Sequence, residues 1–507
     1  MKYIATPLRV FTNDHIRANE IKIPCRQTSH SSDWNKGLKH FIAPMLKRFF
    51  AWGFAVILLQ GALNAGDQVA WQPAAKSDAP LLSSPLQKPA WLSDFSLTIK
   101  EGYDSNVFLS GVDQNYMPKG KQSLKNIDSW VTTISPRVGV NLAPALPDQK
   151  ALKELSFIYA PDIAIYHDAT SESNTAHRFI TAAKGKIDAV TFSLENTFTY
   201  IHGDKDGPVY PGGFLSAYGV AAPRERREQF QDRSKISFQY DQEKFFLRPV
   251  ASFLYYDLRT NLKNPALKST PSGYQNFPDR YDVNGGLDFG YKVTPDVALT
   301  LGYRYGHQYQ QQLAWSLYSS SNDYQRVLFG MEGKPLKWLK VQFQPGPDFR
   351  SYAPDTKRHT TPLRDKAPVV FYGEANVCAE ITSKDTVTFQ FKQFEWLSSC
   401  GNVPYTDTAY ELNYSRKLTD KLTANLGVRA GEADYTMAYT TGGLRDDWMV
   451  TLSTSLRYAF NAHLMADLCY SFDRGLNGFD DLPVTQQPDS KRQFARHLVS
   501  LGLQWKF

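Results

Sequence analysis

Charged residues recur at positions where alternating strands would carry them to one face. The basic ones are Arg137, Arg248, Arg280, Arg304, Arg326, Lys340, Arg429 and Arg457. Acidic ones on the same face are Asp162, Glu195, Asp282, Asp288 and Glu332, followed by Asp348, Glu374, Glu411 and Asp467. Opposed charges across a narrow passage set a transverse field, and rings of one sign select ions. Arg280, Arg304 and Arg326 are expected on three consecutive strands near the long-loop end, the best cluster for contacting anions or sugars. The alternative is that each guanidinium pairs with a carboxylate on the neighbouring wall, and a one-residue slip of register would turn any of these side chains outward.

Other chemistries lack their parts. A serine or threonine hydrolase needs its nucleophile beside a histidine. The ten histidines are scattered over leader, loops and strand ends, and no GxSxG or HExxH occurs. Cys25, Cys378, Cys400 and Cys469 form no CxxC and no metal-ligand spacing. Asp104 and Asn106 have no nearby glycine and glutamate to complete a calcium loop, and read as caps at a strand end. No catalytic residue, metal or cofactor is expected.

What must position the charges is a long series of amphipathic strands. Tyr281, Val283, Leu287, Phe289 and Tyr291 alternate with Asp282, Asn284, Gly286, Asp288 and Gly290. After a turn at Val293–Asp296, Val297, Leu299, Leu301, Tyr303 and Tyr305 alternate with Ala298, Thr300, Gly302, Arg304 and Gly306. This is the period of a strand between unlike media. Further turns are expected at Asp241–Lys244, Lys334–Lys337, Thr382–Asp385, Leu418–Asp420 and Phe460–His463, with long loops over 202–227, 260–278, 351–367 and 475–491. The pattern predicts about 18 strands (16–18) between Ser93 and Phe507, the least distinct around Ala176–Lys184. Tight turns follow even-numbered strands and long loops odd-numbered ones, the asymmetry of a transmembrane barrel with periplasmic turns and extracellular loops. The loop Pro208–Pro223 is long enough to fold inward as a constriction or to present tyrosines to sugars.

Composition agrees. Aromatics make up 14% of the chain, yet mean hydropathy is −0.42. That combination suits alternation with aromatic girdles and excludes a helical membrane protein. The net charge of +7 comes mostly from residues 1–65, beyond which 48 basic residues face 47 acidic ones. Nothing is left to bind nucleic acid. From Met45 the chain carries Lys47 and Arg48, an apolar stretch Phe49–Leu59, and small residues ending at Ala65, the layout of an export signal. The expected organisation is a non-native extension over 1–44, a signal peptide over 45–65, a Pro/Ala/Ser-rich periplasmic linker over 66–92, and a barrel over 93–507.

The final eight residues, SLGLQWKF, fit polar-x-Gly-x-x-aromatic-x-aromatic through Ser500, Gly502, Trp505 and Phe507. This resembles the C-terminal β-signal of bacterial outer-membrane barrels, which implies reading by the barrel-assembly machinery. The run Tyr103-Asp104-Ser105-Asn106-Val107-Phe108 looks like the opening strand of large β-barrel porin families, some of which sit with polysaccharide-export systems. The fold class expected is all-β, a transmembrane antiparallel up-and-down barrel in the outer membrane, in contact with lipid and lipopolysaccharide and able to self-associate as a homo-oligomer. The function expected is a porin-like channel for small hydrophilic solutes (ions, anions or sugars). Alternatives are the barrel of a polysaccharide-export system and a non-conducting structural or adhesive barrel; a TonB-type transporter would need a plug that the short linker does not supply.

Amino-terminal sequencing of the exported protein is expected to begin at Gly66, and detection in cells of any peptide from residues 1–44 would overturn Met45 as the start.

Overall fold

The computed structural model describes residues 89, 91–107, 128–146, 151–203, 228–259, 278–311, 320–352, 368–397, 404–435, 445–479 and 494–507. The signal segment, most of the linker, Phe108, Cys400 and the loop Pro208–Pro223 lie outside them.

The described chain is an antiparallel β-sheet closed on itself. Its segments are β1 (Leu92–Asp104), β2 (Ser129–Asn141), β3 (Leu152–Tyr159), β4 (Asp162–Tyr166), β5 (Asn174–Ile187), β6 (Val190–His202) and β7 (Gln229–Asp241). They continue as β8 (Phe245–Asp257), β9 (Arg280–Thr294), β10 (Val297–Gln310), β11 (Asn322–Leu336), β12 (Leu339–Phe343), β13 (Gly346–Tyr352) and β14 (Val369–Glu380). The last six are β15 (Asp385–Leu397), β16 (Pro404–Lys417), β17 (Leu422–Tyr435), β18 (Arg445–Ala459), β19 (Leu464–Phe479) and β20 (Phe494–Lys506). β3 and β4 pair the same two neighbours, β2 and β5, and so are halves of one strand broken at Ala160–Pro161. β12 and β13 are likewise one strand broken at Gln344–Pro345. Prolines have no N–H for the ladder, which explains both breaks. Each strand pairs its sequence neighbours and β20 pairs β1, giving a closed up-and-down barrel of eighteen strands.

The Asn174–Ile187 strand forms where the pattern was least distinct. One expected turn is displaced. Val297 pairs Gly333, whose φ of +140° opens a bulge, and the ladder slips between Gly333 and Leu336. The strand therefore runs on through Lys334–Leu336, and the chain reverses at Lys337–Trp338 instead of Lys334–Lys337. A Cβ at residue 333 would lie 1.9 Å from the Asp296 carbonyl oxygen, so glycine is needed there both for space and for backbone conformation.

Apolar side chains cover the outer face: Phe95, Leu97 and Ile99 on β1, Leu299, Leu301 and Tyr303 on β10, Val499, Leu501 and Leu503 on β20 are all well exposed. Aromatic pairs rim the belt at both ends, Phe95 with Trp505 and Phe245 with Tyr291 near the turns, Tyr103 with Trp130 and Tyr281 with Tyr309 near the loops. Such girdles flank the hydrocarbon of a bilayer.

The seam between β1 and β20 is stitched on its inner face by charge. Arg496 grips the wholly buried Asp104 through Nε at 2.9 Å and a second guanidinium nitrogen at 2.7 Å. Asn106 donates its backbone N–H to the same carboxylate and its amide to the Ala495 carbonyl. Asp104 and Asn106 thus do more than cap a strand end: they tie the first strand to the last. Below them Lys100 of β1 reaches across β20 to Asp467 of β19 at 2.9 Å. The bridge passes over Gly502, where a Cβ would stand 2.8 Å from Lys100 Cγ and 2.9 Å from Asp467 Oδ1.

Arg496→Leu leaves Asp104 buried without its cation and is expected to cost about 3–5 kcal/mol of stability, and Gly502→Leu about 1–3 kcal/mol through overpacking. Urea unfolding in lipid vesicles checks both; an Arg496→Leu barrel as stable as the parent would show that this pair does not hold the seam.

Candidate functional site

Alternation puts the other face of every strand into the lumen, and the register assigns the candidate residues to it. Arg137 lies opposite Ser96, Arg248 opposite Asp288, Arg304 opposite Arg326, Glu411 opposite Arg429, and Arg457 opposite Asp467. Lys340 faces Cys378, Asp162 faces Ala176, Glu195 faces Ala182 and Lys235, and Glu374 faces Lys392. Glu332 lies opposite Ala298, Asp282 opposite Leu254 and Gln308, and Asp348 opposite Arg326.

The lumen is not uniform around its wall. At the loop end, β15 leaves its neighbour. β14 and β15 pair from Glu380↔Thr386 to Gly373↔Gln393, while Phe394–Leu397 pair only with β16. The freed strand end crosses the lumen and meets the far wall, where Trp396, Tyr405, Ala433 and Tyr435 pack with Tyr256 and Leu258 at the end of β8. The Trp396 and Tyr256 rings meet edge to face at 6.5 Å.

Leaving a ladder exposes backbone carbonyls, and a buried carbonyl without a donor is costly. Side chains of the opposite wall supply the donors. Gln308 Nε2 and an Arg350 nitrogen donate to the Glu395 carbonyl at 3.1 and 3.2 Å, and Arg280 donates to that of Leu397. The two carbonyls are two residues apart and face the same way, as strand alternation requires. Arg280 lies between the Tyr256 and Trp396 rings, with its guanidinium carbon 5.1 and 5.0 Å from their centres.

Behind this crossing the lumen is filled. Arg326 donates to Asp348 at 2.8 Å and lies between the Tyr324 and Tyr372 rings. Arg350, wholly buried, binds the same Asp348 oxygen at 2.8 Å, Gln308 Oε1 at 2.7 Å and Asn322 Oδ1 at 2.9 Å. Asp282 accepts from Gln308 and from the Tyr324 hydroxyl. Nearer the turns, Arg248 holds Glu332 with two nitrogens at 2.9 and 2.8 Å and donates to Asp288 at 3.1 Å, while Arg304 pairs with Asp288 at 2.7 Å.

Arg280, Arg304 and Arg326 therefore do share one region of the lumen wall, but each is engaged. Arg304 and Arg326 have carboxylate partners and Arg280 holds a carbonyl, so the trio is not a bare positive mouth. On the other wall, lumen-facing Arg178 and Lys184 of β5, Ser193, Glu195 and Thr197 of β6, and Glu411 and Asn413 of β16 stay half-exposed, while Ala433, Tyr435, Ser455 and Asp467 on β17–β19 are buried. Arg178 pairs with Asp162 at 3.1 Å, Lys184 with Glu195 at 2.6 Å, and Arg137 with Asp94. Arg429 on β17 is exposed to this side.

Arg350, Arg496, Gln308 and Glu395 were absent from the sequence reading. Arg350 and Arg496 share the lumen parity of Asp348 and Gly502, so alternation could have included them. Glu395 has the parity of the lipid face, and only the departure of β15 from the wall buries it.

No protein-family model matches the sequence, and no curated protein matches it. Solved structures of similar form include OpdK of Pseudomonas aeruginosa with vanillate (TM-score 0.39, 10% identity, 82% of this chain and 98% of that one). OccAB2 of Acinetobacter baumannii gives 0.37 and 11%, with 82% and 98% covered. The FrpB iron transporter of Neisseria meningitidis gives 0.36 and 8%, with 82% and 81% covered. A closed antiparallel barrel with an apolar belt between two aromatic girdles is an outer-membrane architecture, and that is where this protein resides.

Replacing Arg280 and Arg350 together by alanine is expected to release the Phe394–Leu397 segment. Hydrogen exchange of its amides should rise by at least tenfold while the β1–β20 seam keeps its protection; unchanged exchange would mean that the aromatic packing alone holds the crossing.

Proposed function

We propose that the barrel is a porin-like channel through which small hydrophilic solutes diffuse passively, along the half of the lumen lined by β16–β20 and β1–β7. One contrast supports this reading. Charged pairs and tyrosines pack the lumen beside β9–β13, where Arg350, Asp348, Gln308 and Tyr324 are almost wholly buried. Across from them Ser193, Glu195, Thr197 and Thr199 on β6, and Glu411 and Asn413 on β16, remain half-exposed. Hydroxyls and amides along such a wall replace part of a solute's hydration shell as it passes.

No chemical step is involved. Selectivity follows from the width left beside the crossing strand end and from the charges that line it. Lys184 with Glu195 and Arg178 with Asp162 are nearly balanced pairs that orient polar solutes without holding them. Arg429 adds an exposed cation on the facing wall, which favours anions. Ser500, Gly502, Trp505 and Phe507 belong, in this reading, to the signal by which assembly machinery recognises the chain, and the resemblance to β-barrel porin families extends to function.

Residues 66–507 refolded into a planar bilayer are expected to give discrete, salt-dependent conductance steps with a reversal potential on the anion side. Arg429→Glu should move that potential toward cations, and the Arg280→Ala, Arg350→Ala double variant should raise the single-channel conductance. A folded barrel that stays silent would sink the channel reading in favour of an export component or a structural barrel.

A further inference from the structure

One row of the lumen wall carries three side-chain amides that the protein itself leaves unused. Gln342 of β12, Asn376 of β14 and Gln390 of β15 stand opposite one another on strands that are neighbours in the wall, all facing inward. Asn376 is buried, and neither its amide oxygen nor its nitrogen has a hydrogen-bond partner. Among the described residues the half-buried Gln342 and Gln390 amides on either side of it have none either. Polar groups inside a protein are ordinarily paired, and one left unpaired is costly.

Two residues beyond Gln390, on the same face of β15, is the half-buried Lys392. Among the described residues no carboxylate lies within ion-pair distance of its ammonium, whose near contact is the Phe394 ring at 5.1 Å. Glu374 stands opposite it but accepts from the Tyr372 hydroxyl, and Asp407 of β16 shares its field with Arg280 and Arg429 as well. The departure of β15 turns this lysine toward the far wall. Phe394 packs on Trp396, Trp396 meets Tyr256, and the Tyr256 hydroxyl accepts from Arg233 of β7 at 2.8 Å. Arg233 and Lys235 therefore act on Lys392 from across the lumen, and Arg326 acts on it from β11. Even with Glu374, Asp407 and Asp348 included, cations outnumber carboxylates in this neck.

An ammonium drawn away from bulk water calls for a counterion, and the amide row calls for groups that both donate and accept. We propose that this part of the lumen is a binding site for a hydroxylated carboxylate, a sugar acid, with its carboxylate on Lys392 and its hydroxyls on Gln390 and Gln342. Two residues along a strand advance about 6.6 Å and neighbouring strands lie about 4.8 Å apart, so ammonium and amides are spread over the length of a short carbon chain. Each amide presents a donor and an acceptor side by side, the complement of two adjacent hydroxyls. Lys235 and Arg233 supply positive charge from the opposite wall, so the anion is held between walls. Glu374 and Asp407 offer acceptors to a hydroxylated ligand but only repulsion to a bare anion. The inference rests on the channel reading and names the solute class.

The test titrates the full chain, extracted folded from its membrane, with sodium gluconate in a calorimeter, and records conductance separately. Saturable gluconate binding is expected, at least tenfold tighter than that of acetate, which lacks the hydroxyls, or of glucose, which lacks the charge; a site built to bond hydroxyls discriminates against analogues without them. Lys392→Gln should weaken gluconate at least tenfold, and Lys392→Arg should keep it. Gln390→Leu should erase the preference over acetate while leaving acetate unchanged. Equal binding of acetate and gluconate would overturn the amide half of the site, and an unaffected Lys392→Gln would overturn the cation. Inorganic phosphate binding as tightly as gluconate would mark a general anion site and overturn the class. A conducting barrel that binds no gluconate would sink the site and spare the channel; a silent barrel that binds it would keep the site and sink the channel. Should Lys392→Gln fail to fold, the comparison of gluconate, acetate and glucose on the parent chain decides.

Discussion

Hydrocarbon accepts no unpaired backbone N–H or carbonyl, and every large feature of this barrel answers to that demand. The demand is met by closure, and closure depends on β1 finding β20. Regular hydrogen bonds make that ladder, but the same is true of every other pair of strands. Beyond its ladder the seam is held, as several other strand pairs are, by charge laid over it: Asp104 with Arg496, and Lys100 reaching past Gly502 to Asp467. Paired in this way, buried ions cost little and fix register, since a slip by one residue would strand a carboxylate on the lipid face.

The same demand explains the end of β15. A strand that leaves the wall exposes carbonyls, and here side chains of β9, β10 and β13 take over from the missing ladder. The donors are long and planar or amide-bearing (two arginines and a glutamine), able to reach a backbone oxygen across a lumen. They are in turn held by Asp348, Asp282 and Asn322. Filling one side of the lumen and leaving the other side half-exposed are two outcomes of one displacement.

How much of this could be read in the sequence follows the range of the interactions. Period-two alternation is local, and it gave the strands, their inward faces, and turns such as Phe460–His463. The turn after β11 was misplaced because the Gly333 bulge is set by contact with Asp296, in the turn between β9 and β10. Arg280, Arg304 and Arg326 were legible as neighbours on one face, since adjacent strands keep a common register. Their partners were less so. Asp348 is on the next strand and could be guessed, but the Leu397 carbonyl belongs to a strand that is not adjacent, and its approach depends on the shape of the cross-section. Gly502 was legible as part of a terminal pattern; that it makes room for an ion pair between two other strands was not.

The crossing also has a mechanical side. A thin-walled tube yields most easily by flattening, and a bilayer squeezes whatever it contains from the sides. With Trp396 and Tyr405 set against Tyr256 and Leu258, and Arg280 clasping Leu397, the loop end of this tube carries a strut from wall to wall. Its loop end should therefore keep its outline under lateral pressure, leaving the half nearer the turns as the compliant part of the cylinder.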